Sequence, residues 1–137
     1  MDIMIVEDET LLALELEAEV EAAGHTVVGQ AMSRAEAIEI IDREKPDFAF
    51  VDVHLLDGPT GIEVGRHLTE RGIPYVFVTG NLRRIPPDFV GAVGAIEKPY
   101  TMNGLQNALD YIGKRLRGEA NVQAPPSLVM APETQHG

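Results

Sequence analysis

Two adjacent acids, Glu7 and Asp8, follow the apolar run Ile3 to Val6, and a third, Asp52, lies at the end of DFAFVDV. Thr79 closes PYVFVT, and Lys98 comes directly after GAIE. Carboxylates held together in a poorly solvated cleft repel one another unless a cation or a proton relieves them. Hard oxygen ligands in an incomplete cage suit Mg²⁺, which keeps waters and takes its remaining ligands from a phosphoryl group. Lys98 adds a fixed positive charge and Thr79 a hydroxyl donor. Such a set can attack a phosphoryl group, with Asp52 as the nucleophile and the cations holding the phosphoryl oxygens. The product is an aspartyl phosphate.

These residues act together only if the chain brings the ends of its apolar runs to one place. Met1 to Val6 reads as a buried strand, and Glu7, Asp8 and Glu9 suit the helix N-terminus that follows. Leu12, Leu16 and Val20 at four-residue spacing predict a helix ending near Ala23, before Gly24. His25 to Ala31 is a second strand. Ser33 and Glu36 form a capping box that opens a helix through Ala37, Ile38 and Ile41, closing before Pro46. Asp47 to Val53 is a third strand, followed by the loop HLLDGPTG with Gly58, Pro59 and Gly61.

A third helix is predicted from Gly61 to Arg71 and a strand from Pro74 to Val78. The segment Asn81 to Val93 is in place to hold a fourth helix, but Pro86 and Pro87 lie inside it, and a helix-interior proline costs about 3 kcal/mol. A short, displaced or partly unwound element is expected there. Gly94 to Glu97 is a last short strand, and Thr101 to Leu116 a helix with Leu105, Leu109 and Ile112 inward. Strand and helix alternate five times, which implies an α/β fold: a (βα)5 doubly wound parallel sheet covered on both faces. In such sheets function gathers beyond the carboxyl ends of the strands, where Glu7, Asp8, Asp52, Thr79 and Lys98 all fall.

Composition narrows the choice of partner. The 137 residues suit one domain, and the absence of Cys excludes disulfide scaffolds, thiolate metal sites and Cys nucleophiles. There are 11 basic and 22 acidic residues, for a net charge of −11. That charge would repel a phosphate backbone, so nucleic-acid binding is not expected. Residues 1–64 carry 16 Asp and Glu against 3 Lys and Arg. Much of this excess is the solvent face of the first helix, in Glu15, Glu17, Glu19 and Glu21. With no run long enough to cross a bilayer and an acidic N-terminus, a cytoplasmic protein without membrane attachment is expected. From Gly118 onward the chain has three Pro and no Lys or Arg. The expected division is a domain over 1–117 and a disordered C-terminal tail over 118–137.

The segments IMIVEDE (3–9), FVDVHLLDGPTG (50–61), VFVTG (76–80) and EKPY (97–100) resemble the receiver domain of two-component response regulators. The resemblance covers about residues 1–116. It implies a flavodoxin-like fold of strand order 2-1-3-4-5, with Asp52 as phosphoacceptor and Asp8 as a direct Mg²⁺ ligand. Glu7 would act on the metal through water, and the backbone carbonyl of His54 would be the third protein ligand. Thr79 would be the switch hydroxyl and Lys98 the partner of the phosphoryl group. The implied donor is a phosphohistidine on a sensor histidine kinase or histidine phosphotransfer protein. Many receivers carry Tyr or Phe three residues before the Lys, where this chain has Ala95, so the usual aromatic switch cannot operate in that form. PYVFVTGN with KPY resembles a branch of stand-alone receivers with the signature P-F-x-F-A-T-G-x-Y, although Val78 replaces its Ala. In that branch the fourth helix is expected to be malleable, consistent with Pro86 and Pro87.

Few other residues suggest chemistry. His25, His67 and His136 lack ligand spacing and read as surface or tail residues. His54 and Asn81 each lie two residues after a site residue, where receivers tune phosphoryl lifetime. Leu128, Val129 and Met130 form an apolar island in the tail, either a docking segment or a chance triplet. No output domain is expected after Leu116, so output falls to phosphorelay or phosphorylation-dependent protein binding, and catalysis is limited to the chain's own phosphorylation and dephosphorylation. An Asp-nucleophile phosphatase of the dehalogenase type would need a second Asp where His54 stands. A flavodoxin-like FMN site would need a phosphate loop after Val6. A receiver fold kept as an interaction module without phosphorylation is the remaining alternative.

Overall fold

The structure, a computed structural model, describes residues 1–132. Its elements in chain order are β1 (Asp2–Val6), α1 (Thr10–Ala22), β2 (Thr26–Ala31), α2 (Arg34–Glu44), β3 (Phe48–Asp52), α3 (Gly61–Glu70), β4 (Tyr75–Thr79), β5 (Gly94–Glu97), α4 (Met102–Leu116) and β6 (Val129–Met130). The sheet has the order β2-β1-β3-β4-β5-β6, with the first five strands parallel and β6 antiparallel to β5. This is the expected flavodoxin-like 2-1-3-4-5 order with one strand added.

The central strands are apolar throughout because both faces are covered. On one face, Met4, Val6, Val51 and Phe77 pack with Val64 and Leu68 of α3 and with Ile41 of α2. On the other, Ile3, Ile5, Phe50 and Val78 pack with Leu16 and Val20 of α1 and with Leu105 and Leu109 of α4. Side-chain caps fix where α2 and α4 begin. Glu36 N donates to Ser33 Oγ at 3.2 Å, while the Glu36 carboxylate accepts from Met32 N rather than closing on Ser33 N. Gly104 N donates to Thr101 Oγ1 at 2.9 Å. α2 stops at Lys45, whose backbone is left-handed (φ 48°), with Pro46 next.

The connection from β4 to β5 is made of two 3-10 turns, Leu82–Arg84 and Phe89–Gly91. Pro86 and Pro87 lie between them, and each lacks the N–H that a helix there would use. Phe89 and Val90 adopt positive φ (54° and 53°), a costly conformation for bulky side chains. Side chains from two other elements hold it: Tyr75 Oη and Thr69 Oγ1 donate to the Val90 carbonyl at 2.7 and 2.8 Å.

The expectation of a disordered tail from residue 118 needs correction. Leu128 is 4% exposed and joins the core beside α4. Val129 and Met130 pair with Ala95 and Gly94, Ala131 N donates to the Val93 carbonyl at 3.1 Å, and Ser127 Oγ donates to the Gly104 carbonyl at 2.7 Å. The physical reason is the bare edge of β5, whose unpaired N–H and C=O groups an extended apolar segment can satisfy. The Leu128 island therefore docks on its own sheet. Residues 133–137, with His136, lie outside the described residues. Among the described residues no helix is long and apolar enough to cross a membrane.

Candidate functional site

The five parallel strands put their carboxyl ends on the same side of the sheet. β1 thus delivers Glu7 and Asp8, β3 ends in Asp52, β4 ends in Thr79 and β5 leads into Lys98. Glu7, Asp8 and Asp52 each offer a carboxylate oxygen within 4.8 Å of the others. Lys98 Nζ donates to Glu7 Oε1 at 2.7 Å and to Asp52 Oδ2 at 2.8 Å. Both carboxylates are nearly buried, at 6% and 8% exposed.

One ammonium against three carboxylates leaves excess negative charge in a place water reaches poorly. Burial and the adjacent Asp52 raise the Glu7 carboxyl to about 7, against the opposing pull of Lys98. Burial lowers the Lys98 pKa, but hydrogen bonds to Asp52 and Glu7 outweigh it, and the net shift is upward. Three hard oxygen donors in excess of their cations form a donor set that fits Mg²⁺.

Thr79 is 3% exposed, and its hydroxyl faces the next turn: Oγ1 accepts from Asn81 N at 3.1 Å and lies 3.3 Å from the Asn81 carbonyl. Asn81 Oδ1 in turn caps the first 3-10 turn by accepting from Arg83 N at 3.0 Å. A change at Thr79 is thus coupled to the β4–β5 connection. The His54 backbone N–H points at Asp52 Oδ1, 3.3 Å away. Lys98 precedes Pro99 through a cis peptide bond.

Above these residues lies a cleft of 380 Å³, lined among others by Asp52, His54, Thr79, Asn81, Arg84 and Lys98. Of the three clustered acids, Asp52 is the one on its wall. Arg84 is the residue the sequence reading missed. It belongs to the first 3-10 turn, and its guanidinium meets the His54 ring. The only sequence signal was a basic pair soon after Thr79, which has no distinctive spacing.

Residues 3–110 match the description Response regulator receiver domain. The chain belongs to that family. Among the relatives of this receiver, the phyllosphere-induced regulator PhyR of Methylorubrum extorquens is 40% identical over 80 residues, 57% of this chain and 30% of PhyR. The transcriptional regulatory protein PdtaR of Mycobacterium tuberculosis is 29% identical over 122 residues, 84% of this chain and 58% of PdtaR. The chain therefore spans less than two thirds of either relative. Among solved structures, the Erythrobacter litoralis PhyR receiver domain superposes with a TM-score of 0.74 at 28% identity, covering 90% of this chain and 95% of that one. PhyR from Brucella abortus gives 0.72 at 29% identity, covering 88% and 51%. Membership places the chain among the receiver domains of two-component signalling.

Among the described residues, the other histidines have partners of their own. His67 Nε2 lies 2.8 Å from Asp42 Oδ1, which also accepts from Arg71 Nε at 3.1 Å. His25 Nδ1 lies 3.0 Å from the terminal amine.

Proposed function

We propose that the receiver is phosphorylated on Asp52, with Mg²⁺ bound, by a phosphohistidine donor in the cytoplasm, and that it signals by changing its protein contacts. The observation that carries this reading is the three-carboxylate cluster with Lys98 bridging Glu7 and Asp52, set beside a cleft onto which Asp52 opens. Asp8, Asp52 and the His54 backbone carbonyl would hold the metal directly, and Glu7 would hold it through water. The ion would supply charge neutralisation at the phosphoryl oxygens.

The rest of the chemistry belongs to this chain. An Asp52 carboxylate oxygen bonds to phosphorus as the phosphorus–nitrogen bond of the donor breaks, leaving an aspartyl phosphate and a free imidazole. Lys98, which donates to Asp52 Oδ2, would hold one of the new anionic oxygens. Thr79, now bonded to the Asn81 backbone, turns its hydroxyl toward another and shifts the first 3-10 turn with it. Leu11 and Leu14 of α1, Leu56 of the loop after β3 and Met102 at the start of α4 are exposed and would offer apolar contacts to a protein donor.

Protein binding is favoured over pure phosphorelay by one relative: a co-crystal shows PhyR of Bartonella quintana complexed with the anti-sigma factor NepR. The deciding measurement is intact mass after incubation with Mg²⁺ and acetyl phosphate, beside Asp52→Asn. The expected result is one added phosphoryl group in the wild type, absent in the variant and absent in EDTA. No gain from either acetyl phosphate or a phosphorylated histidine phosphotransfer protein would leave a receiver fold used as an interaction module.

A further inference from the structure

Residues 127–131 lie as a strap across the β5 edge and the first turn of α4. Ser127 Oγ donates to the Gly104 carbonyl at 2.7 Å, and Leu128 is buried in the core cluster that holds Leu105 and Leu109. Val129 and Met130 pair antiparallel with Ala95 and Gly94, and Ala131 N donates to the Val93 carbonyl at 3.1 Å. Two glycines mark the course of the strap. A Cβ on Gly94 would run into the Val129 carbonyl oxygen, and one on Gly104 would crowd both the Thr101 cap, at 3.0 Å, and Ser127 Cβ, at 3.1 Å. Glycine weakens strands and helices alike, so the scaffold gives up local stability where the strap crosses it. The strap itself is lightly held. Two of its residues pair with the sheet, Val129 is 39% exposed, and residues 119–126, which join it to α4, form no helix or strand. Ordering five residues costs conformational entropy comparable to what one buried Leu and a few hydrogen bonds return. Such an element opens locally well before the domain unfolds.

We propose that the β5 edge and the first turn of α4 are an acceptor track for an extended segment of a partner protein, and that residues 127–131 are its resident competitor. The strap displays the pattern a partner must match. It presents a hydroxyl to the Gly104 carbonyl, then an apolar side chain of Leu size, two residues that pair with β5, and a small residue whose N–H reaches Val93. None of these five positions carries a charge. Strand addition of this kind takes affinity from main-chain hydrogen bonds and specificity from side-chain sockets. Beside Met130 and Ala131 a cleft of 640 Å³, with Asp88 and Arg115 on its walls, gives a longer partner segment further contacts with which to displace the strap. Binding there needs no phosphoryl group on Asp52, so it stands or falls apart from the phosphoacceptor reading. The short linker also bounds the affinity. It holds the strap near its track at a millimolar effective concentration, so a strap that stays docked must bind with a dissociation constant of about 1 mM or tighter as a separate peptide.

The probe is a synthetic peptide of residues 124–132, titrated to about 5 mM into full-length chains while the amides of Gly94, Ala95 and Gly104 are followed by NMR. Two variants release the strap. Leu128→Asp puts a charge into the core, whereas Ala131→Pro deletes the donor to the Val93 carbonyl and leaves every core side chain in place. Both are expected to bind the peptide, with saturable shifts at the three amides. The wild type should bind it about tenfold more weakly or worse, because its track is free only while the strap is open. A peptide carrying Asp in place of Leu128 should not bind, and adding Gly94→Ala to Leu128→Asp should abolish binding by closing the track. In the wild type alone, the Ala131 amide should exchange faster than that of Phe50. Absence of saturable shifts in both released variants overturns the proposal. So does equal affinity for the wild type and the released variants, an undiminished affinity in the Gly94→Ala double variant, or an Ala131 amide as slow as Phe50. A wild type that dimerises on concentration with Ala131 still protected would show that a second copy fills the track, and overturns the assignment to a foreign partner.

Discussion

Gly61 stands against Asp52 so closely that a Cβ at position 61 would lie 1.9 Å from the Asp52 carbonyl oxygen and 2.7 Å from Val53 Cα. The contact joins the first turn of α3 to the end of β3, and Gly61 N donates to the Val53 carbonyl at 3.0 Å. It folds the loop 53–60 back over the end of β3. Both obstructing atoms are backbone and cannot rotate away. Gly61→Ala is expected to cost about 1–3 kcal/mol, as overpacking does. It should also lower the Mg²⁺ affinity, since the loop carries His54. Urea unfolding and a metal titration check both, and unchanged values in the two would show that α3 slides freely.

Lys98 is held by two nearly buried acids, so its removal leaves them uncompensated. Lys98→Met is expected to destabilise the metal-free protein by about 2 kcal/mol, less than for a fully buried pair because Lys98 keeps some exposure. The loss should shrink on adding Mg²⁺ and at acid pH, where Glu7 takes a proton. Unfolding with and without EDTA measures it, and equal losses in both conditions would contradict the picture.

Glu7 gives the metal-free protein a defined pH dependence. Its folded pKa of about 7 exceeds its ordinary 4.5, so the folded chain keeps a proton that the unfolded chain releases. The associated stability is full below 4.5 and is lost as pH rises through about 7. In EDTA the unfolding midpoint should therefore fall more steeply between about pH 5 and pH 8 in wild type than in Glu7→Gln. Mg²⁺ should flatten the wild-type slope. Parallel slopes for the two proteins in EDTA would remove the effect.

Tyr75 reaches under the β4–β5 connection to hold Val90 in its unfavourable backbone conformation. Tyr75→Phe removes one donor while Thr69 still satisfies the Val90 carbonyl, so the expected cost is about 1 kcal/mol. Amide exchange of residues 86–92 should quicken while β1 and β3 stay protected. Uniformly faster exchange would mean that the segment unfolds only with the whole domain.

β6 rests on the bare backbone of Gly94, where a Cβ would lie 2.4 Å from the Val129 carbonyl oxygen. Gly94→Ala should therefore loosen residues 127–131 and expose Leu128 without unfolding the five-stranded sheet. Amide exchange at Ala131 reads this directly. A protected Ala131 amide in the variant would show that β6 can shift to accommodate the methyl group.

The fold class and the acidic site were readable because both depend on local patterns. An apolar run closed by a carboxylate says strand and strand end in the same few residues, and parallel crossovers bring those ends together whatever their separation in sequence. That is why Glu7, Asp8, Asp52, Thr79 and Lys98 could be named and their shared edge anticipated. Pro86 and Pro87 likewise forbade a regular fourth helix on chemistry alone.

Other features depend on which surfaces face one another in space. Leu128 to Met130 look like many apolar triplets, and only the open edge of β5 makes them a strand. Gly61 sits in an ordinary glycine loop until β3 comes within contact distance. Arg84 and His54 are thirty residues apart and carry no shared pattern. Residue type and periodicity determined what each element is and which groups could do chemistry; the packed sheet decided which of them touch, because contact distances arise only when all the elements compete for the same space.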